Sequence, residues 1–216
     1  MSASNIQDAI YNGYNIAATV LGFPYRQYRP SAAANPTGGE PLATLSASFS
    51  TGAGYTYPKG GSYKDVVWNA LVDGRQVEVG DYLVNDVHGT YFIAATQDLL
   101  PILAVKCNHT LTVYDPGPTK IFGADSNYGG TTAGTEVPIM TNWPGSLILD
   151  QRGRVTEVGL PTDLPSPFFQ LLLPILDGAD LRTTCFIVDD DGRRYTVSAA
   201  EKGLLGWRAM VQLAVT

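Results

Sequence analysis

Residues Leu71–Leu100 read LVDGRQVEVGDYLVNDVHGTYFIAATQDLL, and residues Ile175–Leu204 read ILDGADLRTTCFIVDDDGRRYTVSAAEKGL. At a spacing of 104 (177 − 73) the two lie on one another without a gap. Asp73-Gly74 meets Asp177-Gly178, Val84 meets Val188, Asp86 meets Asp190, Tyr91 meets Tyr195 and Ala95 meets Ala199. Where identity fails, apolar still meets apolar: Tyr82 with Phe186, Leu83 with Ile187, Ile93 with Val197. Each copy has two apolar runs about a polar turn, which is a hairpin signal. A match over a whole strand–turn–strand unit predicts two related β modules, a tandem duplication whose period is too long for a solenoid.

The same alignment bears on Asp189, Asp190 and Asp191, which precede Gly192 and two arginines. They could be a metal site, an acid/base pair or a turn. In the first copy their positions hold Asn85, Asp86 and Val87. The turn is kept and the set of carboxylates is not. Asp191-Gly192 is a favourable turn pair by itself, and no glutamate follows at EF-hand spacing, so the reading is a turn.

Outward from this unit, the rest of the chain is also β in character. "ILAVKCNHTLTVY" reads as a strand or strand pair, and "SLILDQRGRVTEV" as a further hairpin. The 216 residues are 44% hydrophobic and only 16% charged, with 23 glycines and 14 prolines, which fits many short strands joined by turns. The expected fold is mainly β: two related barrel- or sandwich-like modules behind a short helix and an extended arm. The helix is expected from Ser4, with Gln7 completing a capping box, Ile6, Ile10, Ala17, Val20 and Leu21 as its apolar stripe, and Gly22 and Pro24 as stops. Phe23–Pro41 has no period and reads as an arm carrying Tyr25, Arg26, Tyr28 and Arg29. Boundaries follow: helix and arm over 1–41, a first module over 42–115, a glycine-rich connection over 116–136, and a second module over 137–216.

Chemistry-bearing motifs are sparse. The two histidines, His88 and His109, join no G-x-S-x-G elbow, and no phosphate loop is present. Cys107 and His109 lack a second pair to complete a zinc tetrahedron. Phe122–Pro138 is glycine-rich and reads as a surface loop, and Asn108-His109-Thr110 matches a glycosylation sequon that needs a secretory route. No catalytic residue, cofactor or metal is expected, and Cys107 and Cys185 are expected as buried thiols. The opening stretch has no basic n-region before an apolar core, so no signal peptide is expected. No apolar run reaches the roughly 20 residues of a membrane helix, and a soluble chain is expected. A net charge of −6 excludes binding of nucleic acid through a general basic surface. The 12 tyrosines and 3 tryptophans suit partner surfaces or sugar platforms.

"VEVGDYLVNDVHGTYFIAATQDLLPILAVKCNHTLTVY", with "DGRRYTVSAAEKGLLGWRAMVQLA" far downstream, resembles structural proteins of tailed bacteriophages of the head–tail connector, neck and short-tail type. The likeness rests on the G-D-Y-L element with its Tyr-Phe-Ile strand and on the D-G-R-R-Y…G-W element. It implies a virion protein assembled in the host cytoplasm as a homo-oligomeric ring, six- or twelve-fold, against portal, adaptor or tail proteins. DNA would pass through the lumen unbound, which an acidic wall favours. The contacts expected are Tyr25, Arg26, Tyr28 and Arg29 of the arm, with Tyr128 and Trp143. The alternative is a receptor- or glycan-binding module of a tail fibre or spike; a hydrolase with an unrecognised site comes third.

Overall fold

The structure, a computed structural model, describes residues 3–51, 66–116, 136–150 and 167–214. One helix, α1 (Ala3–Leu21), precedes twelve strands: β1 (Phe23–Tyr28), β2 (Ala43–Ser50), β3 (Val67–Leu71), β4 (Tyr82–Asn85), β5 (Gly89–Ala95), β6 (Ile102–Cys107), β7 (His109–Asp115), β8 (Val137–Leu149), β9 (Phe168–Leu173), β10 (Phe186–Val188), β11 (Arg194–Gly203) and β12 (Gly206–Leu213). They close into two six-stranded barrels, ordered β1-β2-β3-β6-β5-β4 and β7-β8-β9-β12-β11-β10. Adding six to each label of the first order gives the second, and every strand pair is antiparallel.

The duplication extends to register. Tyr82, Leu83 and Val84 pair with Phe92, Tyr91 and Thr90, while Phe186, Ile187 and Val188 pair with Thr196, Tyr195 and Arg194. A register shift falls between Ile93 and Ala95 in one barrel and between Val197 and Ala199 in the other. The two modules are one architecture used twice, as the repeat predicts.

The module boundaries differ from those expected. The supposed arm begins with β1, which is hydrogen-bonded to β2 on one side and β4 on the other. Its Pro24 stands in the part of the strand that β4 does not reach, where a missing N–H is tolerated. The first barrel therefore starts at Phe23, not residue 42. Its last strand ends at Cys107, and the second barrel opens at His109. Asn108 alone is the joint, fastened to β8: its Nδ2 donates to Leu147 O, its Oδ1 accepts Leu147 N–H, and its own N–H donates to Gly145 O. The expected connection over 116–136 lies almost wholly outside the described residues, and the strands that flank it, β7 and β8, both belong to the second barrel.

The two cores touch. Tyr91 and Ile93 of β5 point into the first barrel with Tyr25, Leu83 and Ile102, whereas Phe92 and Ala94 join a cluster that continues through Trp143, Leu171 and Ile187 of the second. A strand buried on both faces reads as an unbroken apolar run, which is why "YFIAA" shows no alternation. Tyr82 O–H donates across the boundary to Pro144 O at 2.7 Å. Helix α1 lies against β2 and β3 of the first barrel. Gly22 closes it, with its N–H on Ala18 O at 2.8 Å, and a Cβ there would come within 2.6 Å of Ala47 O. Among the described residues no helix is long and apolar enough to cross a membrane.

Candidate functional site

The residues expected to contact partners are largely engaged within the chain. Tyr25 and Tyr28 are buried barrel residues, and Tyr25 packs edge-on against Phe49 and Tyr91. Arg26 pairs with Asp86 at the tip of the β4–β5 hairpin. Arg29 forks onto Asp81 and also reaches Glu78. Trp143 is wholly buried, and its Nε1–H donates to Ala33 O at 2.9 Å. All five are thus engaged within the chain: alternation along β1 turns Tyr25 inward, and the two arginines meet carboxylates of their own barrel. Tyr128 lies outside the described residues.

Part of the arm does reach across, to the same molecule. After β1 the chain loops through Ala33, whose carbonyl also accepts Thr141 N–H at 2.8 Å, and returns to β2 at Ala43. The loop lines a half-open pocket of about 340 Å³, with Tyr28, Arg29, Asn35, Pro36, Glu40 and Leu42 at its walls. It clasps one barrel to the other.

The β10–β11 tip bears directly on the three aspartates. Asp189 is buried and caps the turn: Oδ1 accepts Arg193 N–H at 2.7 Å and Oδ2 accepts Tyr195 O–H at 2.9 Å. Burial, and then that bond to Asp189, push the Tyr195 phenol up to about 12. Asp190 faces His109, Nδ1 to Oδ1 2.7 Å; burial would raise its carboxyl, but the His109 hydrogen bond and backbone N–H donors hold it below the usual range. Asp191 pairs with Arg193 at the surface. His109, Asp189 and Asp190 bring ligating atoms within 4.8 Å of one another, the one such group among the described residues. Both oxygens of Asp189 already accept hydrogen bonds and Asp190 is matched by the histidine, so the group reads as a locked turn.

The first barrel shows what the group replaces. By strand register, His109, Thr112, Asp189 and Asp190 stand where Phe23, Arg26, Asn85 and Asp86 stand. There Asn85 Oδ1 caps the turn through Val87 and His88 N–H, Arg26 meets Asp86, and Phe23 stacks on the His88 ring at 3.7 Å. One aspartate is met by arginine in one copy and by histidine in the other. Cys107 and Cys185 are free thiols with acidities weakened chiefly by burial, unsuited to nucleophilic attack.

What remains accessible is apolar. On α1, Ile16 is 60% exposed and Val20 77%, with Ile6 and Leu21 also exposed. Phe23, just past the helix end, and Val87, at the β4–β5 tip, are exposed as well, and Leu204 stands 93% exposed at the β11–β12 tip. The stripe expected to hold the helix down is thus largely its free side. The barrel takes Tyr11 and Ala18 instead, and Gln7 Oε1 accepts Leu99 N–H at 2.6 Å. Composition could reveal an amphipathic helix but not which of its two apolar sides meets the barrel. Comparison with protein-family models, curated proteins and solved structures finds no match.

Proposed function

We propose that this chain is a virion structural protein, forming a homo-oligomeric ring at a head-to-tail junction through which DNA passes. The observation that carries the assembly part is the outward apolar face of α1. Contiguous exposed apolar surface rimmed by polar groups is the mark of a contact site. The phage setting rests on the likeness of the G-D-Y-L and D-G-R-R-Y elements described above. Charge supports the conduit: a ring of chains each carrying −6 repels the phosphate backbone and leaves DNA free to slide.

Native mass spectrometry of the full chain at micromolar concentration, with negative-stain micrographs, tests this reading. A ring with a central opening is expected. A trimer that binds saccharides would replace it with the tail-fibre module, for which the cavity beside Arg29, Asn35 and Glu40 is the place to look. A monomer at every concentration would overturn it.

A further inference from the structure

Helix α1 carries a second seam on the side away from the barrel. Ile6, Ala9, Gly13, Ile16 and Val20 are spaced three, four, three and four residues apart, and all five are exposed. At 3.6 residues per turn they fall within an arc of about 80°, opposite Tyr11 and Ala18, which face the barrel. Such spacing is what two helices need to interlock side chains along a common line.

Gly13 gives the stripe its centre. A mid-helix glycine costs about 1 kcal/mol relative to alanine. Nothing among the described residues asks for it: a Cβ there would meet nothing within 4 Å, and its φ is not positive. The remaining reason for glycine is close approach from outside.

We infer that α1 pairs antiparallel with α1 of a second copy of this chain, crossing at Gly13. This rests on the homo-oligomer reading and names its contact. About that crossing, Ile6 comes opposite Val20, Ala9 lies one residue off the level of Ile16, and the two helix dipoles oppose. Charge favours a like partner. The helix has one charged residue, Asp8, off the stripe and acting on Arg75 of its own barrel. Copies with a net charge of −6 repel through their charged faces and can meet most closely across a neutral one. Area sets the strength. A face about 28 Å long and 10 Å wide is roughly 300 Å², well under the roughly 800 Å² per partner of a stable dimer. The pairing is therefore weak alone, and it builds a ring with an even number of copies in which other contacts close the circle.

The test uses full-length Gly13→Leu and Gly13→Cys. Open space at Gly13 and the better helix propensity of both residues let the variants fold, which circular dichroism checks. Gly13→Leu is expected to weaken self-association at least tenfold in sedimentation. Gly13→Cys is expected to form a disulfide-linked dimer under oxidised glutathione, much faster than Thr19→Cys, which lies on the same helix off the stripe. An oligomer that survives Gly13→Leu, or equal cross-linking at both positions, overturns the α1 pairing and leaves the ring standing. A wild-type chain that is monomeric throughout overturns both.

Discussion

The two barrels hold the same strand in opposite ways. In the first, the buried carboxylate of Asp81 gathers four donors within 2.9 Å: Gln27 Nε2, Glu78 N–H, and Nε and Nη2 of Arg29. In the second, the positions of Asp81 and Gln27 are Cys185 and Val113, and the same junction is apolar and fully buried. Around it the surface charges have changed sides: Arg29 with Glu78 in one barrel stands where Asp115 with Arg182 stands in the other. One backbone plan thus tolerates a polar lock or a greasy one, provided the set changes together. Breaking a buried charged set by removing one member should cost far more than exchanging the set.

The largest expected effect follows. Asp81→Ala leaves Gln27 and the Arg29 fork without their acceptor and should destabilise the protein by about 3–5 kcal/mol in urea unfolding. The double variant Gln27→Val with Asp81→Cys, which imports the second barrel's pair, should lose less than half as much. Equal losses would mean that the two junctions are not interchangeable.

Packing offers the next comparison. Tyr25, Leu45 and Ala47 of the first barrel correspond to Leu111, Trp143 and Gly145 of the second, so the bulk has moved from one strand to its neighbour. A Cβ at Gly145 would stand 2.6 Å from Leu173 Cδ2 and 2.9 Å from Leu111 Cδ1. Gly145→Ala should therefore cost about 1–3 kcal/mol by overpacking, although the matching position in the first barrel is already alanine. A smaller change of opposite sign is expected at Thr184. Its φ is +83°, where the matching Gly80 has +95°, and both N–H groups donate to equivalent carbonyls, Val197 O and Ile93 O. A β-branched residue is strained there, so Thr184→Gly should raise thermal stability by about 1 kcal/mol.

How much of this was legible in sequence depended on spacing. Equivalent residues lie 98 apart at Ser48 and Ser146 (146 − 48), 101 at Ala70 and Leu171, 104 at Ile93 and Val197, and 107 at Ala104 and Val211. An ungapped comparison can hold only one of these offsets, so it found the β4–β5 and β10–β11 hairpins and missed the strands around them. Without that frame β1 had too short an apolar pattern to be distinguished from a proline-containing arm. The joint at Asn108 has no glycine or proline, because the chain passes from one barrel to the next while still extended. Trp143 looked available because side-chain direction in β8 follows a register the sequence does not carry. Residue chemistry did identify the turn at Asp189, since Asp-Gly favours a turn locally.

The smallest expected effect is one of pH, and it separates the barrels again. Asp73 and Asp177 occupy matching turns, but Arg75 forks onto Asp73 through Nε at 2.8 Å and Nη2 at 2.7 Å, whereas the second barrel has Ala179 at that place. The Arg75 hydrogen bonds outweigh burial and hold the Asp73 carboxyl below its ordinary 3.8. A carboxyl whose folded value is depressed stabilises the fold fully above the unfolded value and loses that contribution as pH falls through the folded one. Arg75 is about half exposed, so solvent screens the pair and its contribution is small. Asp73→Asn should therefore be slightly less stable than the native chain at pH 7, with the gap closing as pH falls below the ordinary carboxylate range. The same change made in an Arg75→Ala variant, which gives the first barrel the alanine of the second, should show no such closing gap. A gap of the same size and pH course in both variants would place the effect in the turn itself, and the arginine would then have no part in it.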